Sequence, residues 1–192
     1  KATFTVHLDK ASAYDTVVNF NLGGTAADRS DFSAINHSIT IKAGDTSAPI
    51  DLKTIADGIF EGTESLTATL IGAKTGSTQL LLNSNKSIAS GTIIDGDTAP
   101  IVSINGTPSV NEGGHLQYTV SMDKASAYNT LVNFTLSGGT TVGSAGEDSD
   151  YSAGAHSVLI KAGYTSATID LSTLKDAIYE GNETVTVTLH DA

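Results

Sequence analysis

The chain has 192 residues, enough for one large domain or for two of about 100 residues that each bury a core. Its 21 acidic against 10 basic residues give a formal net charge of −11, a field that repels phosphate backbones and anionic membranes and favours cations over nucleic acid as partners. Cysteine is absent, which excludes disulfides, thiolate metal sites and cysteine nucleophiles together, and no apolar run approaches the roughly 20 residues of a membrane span.

Thr, Ser, Val, Ile, Gly and Asn dominate, and short alternating apolar runs are separated by turn residues, the pattern of antiparallel sandwiches. In chain order, Phe4, Val6 and Leu8 share one face of a first strand, and Val18, Phe20 and Leu22 share one face of a second, which Gly23-Gly24 end. Ile39 with Ile41 and Ile50 with Leu52 mark two more strands, with Lys42-Ala43-Gly44-Asp45 between them reading as a hairpin turn. Thr54 to Asp57 is at most a single helical turn. Leu66, Ala68 and Leu70 mark a further strand, residues 74–86 a long polar loop carrying Leu80-Leu81-Leu82 as a strand or a docked patch, and residues 88–94 a last strand.

The pattern then starts again. Thr5-Val6-His7-Leu8-Asp9-Lys10-Ala11-Ser12-Ala13-Tyr14 returns as Thr119-Val120-Ser121-Met122-Asp123-Lys124-Ala125-Ser126-Ala127-Tyr128, an offset of 114 residues. Ser30-Asp31-Phe32-Ser33 returns as Ser149-Asp150-Tyr151-Ser152 and Ile59-Phe60-Glu61-Gly62-Thr63-Glu64 as Ile178-Tyr179-Glu180-Gly181-Asn182-Glu183, now at an offset of 119 after an insertion around Gly143 to Glu147. Tyr118, Val120 and Met122; Val132, Phe134 and Leu136, followed by Gly138-Gly139; Val158 and Ile160; Ile169 and Leu171; and Val185, Val187 and Leu189 repeat the strands, and Thr173 to Ala177 repeats the single turn.

These copies predict two tandem immunoglobulin-like sandwiches, residues 1–98 and 99–192, joined at Asp95-Gly96-Asp97. The first lacks the lead-in strand that residues 101–116 give the second, and the second lacks the tail that residues 76–97 give the first. Edges left bare in this way invite pairing with another chain. The chain opens on Lys1, without methionine or a signal-peptide pattern, so an excised fragment is the expectation.

Carboxylates cluster on the predicted loops: Asp31 before its aromatic, Asp57, Glu61 and Glu64 leading into one strand, and Asp95 and Asp97 at the close. Asp150, Asp176, Glu180 and Glu183 match the first four of these in the second copy, with Glu112 of Val110-Asn111-Glu112-Gly113-Gly114 in addition. Calcium takes 6 to 8 hard oxygen ligands, and loops converging at one end of a sandwich would supply them. The alternative is solvated loop carboxylates, the usual state of Asp and Glu. Recurrence in both copies favours calcium for the Glu-x-x-Glu loops, while Asp95 and Asp97 also suit a plain turn. Asp9 and Asp123 read as turn residues or as exposed pairs with Lys10 and Lys124.

The five histidines lack metal spacing, and His37 and His156, at equivalent positions, read as surface residues. No serine, histidine and acid combine into a nucleophile, and no glycine-rich loop has phosphate-cradling spacing, so an enzyme is not expected.

In their order, Val110-Asn111-Glu112-Gly113-Gly114, Asp150-Tyr151, Lys161-Ala162-Gly163, Glu180-Gly181-Asn182-Glu183 and Asp95-Gly96-Asp97 resemble the Calx-β motif. That motif occurs in regulatory domains of sodium/calcium exchangers, in an integrin subunit and as tandem repeats in very large bacterial adhesins of the RTX type. The resemblance implies calcium at one end of each sandwich. The implied ligands are Asp31, Asp57, Glu61, Glu64, Asp95 and Asp97 with the carbonyl of Ile59 in the first copy, and Glu112, Asp150, Asp176, Glu180 and Glu183 with the carbonyl of Ile178 in the second. The exchanger-type motif is denser in acids where this chain has Ala56, Gly58, Gly62 and Gly96, which implies fewer ions or weaker binding.

The leading expectation is therefore a set of calcium-binding extender repeats of a secreted adhesin at a bacterial cell surface, with the ion stiffening each joint between neighbouring repeats. A calcium-sensing regulatory module is the alternative. A carbohydrate- or protein-binding sandwich is a third, disfavoured by few aromatics and no tryptophan.

Overall fold

The structure, a computed structural model, describes residues 1–33, 36–106, 109–138 and 145–192. Gly139, at the end of the second glycine pair, and Gly143, in the insertion, lie outside the described residues. The chain forms two compact units, Lys1–Asp57 with Glu61–Asp97, and Gly58–Phe60 with Thr98–Ala192. Both are β-sandwiches.

The first unit has strands β1 (Ala2–His7), β2 (Thr16–Gly24), β3 (Ser38–Ile41), β4 (Ser47–Leu52), β5 (Thr63–Thr75), β6 (Thr78–Leu80) and β7 (Ile88–Ile94). One sheet pairs β1 with β4, placing Phe4 opposite Ile50 and Val6 opposite Ala48. The other runs β3-β2-β5-β6, with β7 also on β5. Period-2 alternation turns one row of each strand inward, and Val6, Val18, Phe20, Ile41, Ala48, Ile50 and Ala73 close the core between the sheets. A second cluster of Ala26, Phe32, Leu52 and Leu66 fills another part of the same sandwich.

The second unit has β8 (Val102–Gly106), β9 (His115–Met122), β10 (Thr130–Gly138), β11 (Tyr151–Ser152), β12 (Ser157–Ile160), β13 (Ser166–Thr173) and β14 (Val185–Leu189). Its sheets are β11-β13-β9-β8 and β12-β10-β14, around Val120, Met122, Val132, Phe134, Ile160, Ile169 and Leu171. The lead-in supplies β8, which pairs with β9, and the tail of the first unit supplies β6 and β7, which pair with β5.

Several local expectations need correction. Lys42 to Asp45 form a tight turn, closed by Asp45 N–H donating to the Lys42 carbonyl at 2.9 Å, but β3 and β4 lie in different sheets, so the turn carries the chain across the sandwich and is not a hairpin. Residues 54–57 form no helical turn, and Thr173 ends strand β13; the described helical segment is a 3₁₀ turn at Ser84–Lys86, capped by the Asn83 side chain accepting from Asn85 N–H. The polar stretch 74–86 contains a strand, because β5 runs on to Thr75 and turns back through Gly76 into β6. Leu80 and Leu82 pack on the core and Leu81 points fully into solvent. β5 carries a bulge: Asn19 faces Gly72 but Phe20 faces Leu70, so Ile71 is extra and exposed and the inward row resumes at Ala73. Asp123 is not spent on Lys124. Its carboxylate accepts from Ile101 N–H at 2.7 Å, while Lys124 reaches the Thr98 hydroxyl at 2.9 Å.

Gly24 ends β2 at φ 119°, and a Cβ there would collide with the Ser65 carbonyl oxygen. Gly24→Ala is therefore expected to cost about 1–3 kcal/mol, more than a surface Gly→Ala at Gly96, where a Cβ meets open space. Paired urea melts of the two variants check this.

Candidate metal centre

Two groups of three carboxylates offer ligand oxygens that all lie within 4.8 Å of one another: Asp31, Glu61 and Glu64 in the first unit, and Asp150, Glu180 and Glu183 in the second. Each is built the same way. After β2 the chain enters a turn in which Arg29 takes the left-handed conformation at φ 75°, its N–H donates to the Phe32 carbonyl at 2.7 Å, and Asp31 N–H donates to the Ala27 carbonyl at 3.1 Å. Phe32, 2% exposed, plugs into the cluster with Leu52 and Leu66. That buried ring fixes the residue before it. The Asp31 carbonyl accepts from Ile55 N–H at 2.9 Å, and one carboxylate oxygen accepts from Ala27 N–H and the Ser30 hydroxyl.

The second unit repeats this after β10. Asp148 takes φ 68°, Tyr151 is 3% exposed, Leu174 N–H donates to the Asp150 carbonyl at 2.8 Å, and Gly146 N–H and the Ser149 hydroxyl donate to one Asp150 oxygen. The serine before each aspartate belongs to the site as an anchor, a role visible beforehand only as its recurrence at Ser30 and Ser149.

Glu64 lies in β5 and Glu61 just ahead of it, with Gly62 at φ 70° between them; Gly181, at φ 82°, serves Glu180 and Glu183. Asp95 clamps this loop. One of its oxygens accepts from Glu61 N–H at 2.7 Å and Gly62 N–H at 3.0 Å, and the other accepts from Asp97 N–H at 2.8 Å. Asp95 thus positions Glu61 through the backbone, and neither it nor Asp97 is in the triad. Asp57 stands near enough for its charge to act on Glu61, as Asp176 and Glu112 do on Glu180 and Glu183. Glu112, Asp176 and Glu180 line one open pocket, and Asp176 accepts from Ile178 N–H at 2.7 Å. Ile178 is exposed; Ile59 is half-buried and falls in the second unit.

The electrostatics are those of crowded anions. Burial, the closely facing Asp31 carboxylate and the charges of Asp57 and Glu64 push the Glu61 carboxyl up to about 7. Burial and Asp31 raise Glu64. In the second unit burial and then Asp150 raise both Glu180 and Glu183. Asp150 is held below the ordinary range by the Gly146 N–H and the Ser149 hydroxyl, which favour its ionised form.

Asp31 is 5% exposed, and its second oxygen is buried without a hydrogen-bond partner among the described residues. A buried carboxylate oxygen facing two glutamates is costly unless a cation or proton joins it. The donor set is hard oxygen throughout, the chemistry of calcium rather than of zinc or copper.

The profile described as the Calx-beta domain matches residues 1–97 and again residues 96–192. The chain belongs to the Calx-beta domain family. Two solved structures are similar to these paired Calx-beta units: the calcium binding domain CBD12 of CALX1.1, at 21% identity over 100% of this chain and 75% of that one with a TM-score of 0.43, and CBD12 from CALX1.2, at 20% identity over 99% and 75% with a TM-score of 0.40. No curated protein matches the chain.

Without metal, the folded first Calx-beta unit keeps a proton on Glu61 between about pH 4.5 and 7 that the unfolded chain has already lost. Stability therefore falls as pH rises through that window. In chelator, melting temperature is expected to drop from pH 5 to pH 7, and Glu61→Gln is expected to flatten the drop. A slope that survives in the variant would assign it elsewhere.

Proposed function

We propose that each unit binds calcium at its triad, and that the chain is a pair of non-enzymatic extender repeats of a large adhesin at a bacterial cell surface. The observation that carries the calcium reading is the buried, unpartnered oxygen of Asp31 held against Glu61 and Glu64. Asp31, Glu61 and Glu64 would hold one ion and Asp150, Glu180 and Glu183 another, with Asp57, Glu112 and Asp176 adding charge nearby. Calcium would supply positive charge that replaces the Glu61 proton and relieves the repulsion among the carboxylates. Membership in the Calx-beta family agrees with this reading.

The extender role is supported by the near-identity of the two copies, because a spacer needs repetition where an enzyme needs a unique constellation. The net charge of −11 suits a surface bathed in divalent cations. A regulatory calcium-sensing module accords equally with the family, and affinity separates the two. Extracellular modules bind at roughly 10⁻⁴ to 10⁻³ M, whereas sensors bind at 10⁻⁷ to 10⁻⁵ M.

An ion that binds only the folded state adds about 2.7 kcal/mol at a hundredfold excess over its dissociation constant. Saturating calcium is therefore expected to raise the melting temperature by on the order of 5 °C or more, and Asp31→Asn to remove the first unit's share. Titration calorimetry at pH 6 should show proton release on binding, read from the buffer dependence of the heat. No heat and no change in melting would overturn the calcium reading, and a micromolar constant would transfer the assignment to the sensor.

A further inference from the structure

The second unit contains one loop-to-turn contact and, at the repeat-equivalent places of the chain, the same two motifs without a contact. In that unit Phe60 N–H donates to the Ala125 carbonyl at 3.0 Å and the Phe60 carbonyl accepts from Ala127 N–H at 2.9 Å. The pair forms a parallel bridge centred on Ser126, which is 3% exposed. By the repeat, Phe60 corresponds to Tyr179, and Ala125-Ser126-Ala127 to Ala11-Ser12-Ala13.

Tyr179 is 96% exposed and Ile178 66%, and no hydrogen bond joins the Tyr179 backbone to any described residue. The Ala11 carbonyl and Ala13 N–H are likewise without partners among the described residues. Their turn already has the receptive shape. Gly44 N–H donates to the Ser12 carbonyl at 2.8 Å as Gly163 N–H does to Ser126, and Tyr14 N–H donates to the Ser12 hydroxyl at 3.0 Å as Tyr128 N–H does to the Ser126 hydroxyl at 3.1 Å.

We infer that the exposed loop at Ile178 and Tyr179 is a docking site for a second copy of this chain, which presents its turn Ala11-Ser12-Ala13. Tyr179 N–H donates to the Ala11 carbonyl and the Tyr179 carbonyl accepts from Ala13 N–H, as Phe60 does with Ala125 and Ala127. The two surfaces differ, so the contact is head-to-tail. It does not rest on calcium binding.

The chain has no cysteine, so introduced thiols report the contact directly. Bridge partners lie within the span of a disulfide. Full-length Ser12→Cys and Tyr179→Cys variants, mixed under mild oxidation in chelator and again in millimolar calcium, are expected to give several-fold more mixed dimer than Ser12→Cys with Leu81→Cys, a site that is 100% exposed. An excess of the unaltered chain should suppress that dimer. If Ser12→Cys does not keep the parent's circular dichroism and melt, Ala13→Cys takes its place. Yields equal to the Leu81 pair in both buffers, or undiminished by the competitor, would overturn the docking.

Discussion

Three carboxylates whose oxygens lie within 4.8 Å of one another cannot all stay ionised and dry, and the end of each sandwich is organised around that repulsion. An aromatic ring buried in the sandwich holds the aspartate in place, Phe32 for Asp31 and Tyr151 for Asp150. Backbone N–H groups and a serine hydroxyl occupy one oxygen of each aspartate. In the first unit the other oxygen is left to face the glutamates, so packing energy from the core is spent on holding anions together. The raised carboxyls of Glu61, Glu64, Glu180 and Glu183 register that strain in protons.

Most of the fold was legible because a half-buried strand writes its inward row at every second residue. Val18, Phe20 and Leu22 read as one face and pack on the core as one face. What alternation could not show was a break in its own phase. The bulge at Ile71 shifts the inward row by one, so a reading of β5 in strict period 2 stops at Leu70, five residues before the strand does. The turn at Lys42 to Asp45 failed for another reason: turn chemistry specifies a reversal of the chain but not whether the next strand stays in the same sheet.

The site was legible as a set and not as a division of roles. In the sequence Asp31, Glu61 and Glu64 read together with Asp57, Asp95 and Asp97, all as carboxylates on loops. Sequence cannot distinguish an aspartate that lends its oxygens to a cation from one that lends them to three backbone N–H groups, which is what Asp95 does. Nor could it show that Asp31 is buried while Asp150, in the same Ser-Asp-aromatic setting, is half-exposed. The loop before Asp150 carries the insertion, and its local anchor is a glycine, Gly146, where the first unit has Ala27.

Substitutions between the two copies separate positions held by local structure from positions held by something else. Asp15 accepts from Ala43 N–H at 2.9 Å and pairs with Lys42; at the matching place Asn129 accepts from Ala162 N–H at 2.9 Å with no carboxylate. The clip needs only an acceptor, and the exposed ion pair adds little, so the residue is free to change. The neighbouring run Asp-Lys-Ala-Ser-Ala-Tyr is identical at 9–14 and 123–128, although its internal clip requires only the serine hydroxyl and the backbone N–H two residues on. Alanine on either side of that serine is not demanded by the fold of the turn, since Ala11 and Ala13 are exposed. Small side chains there let another backbone approach to hydrogen-bonding distance, as Phe60 does at Ala125 and Ala127. A turn kept small and identical in both copies is one shaped for contact, and Tyr179 is the exposed residue at the place equivalent to Phe60.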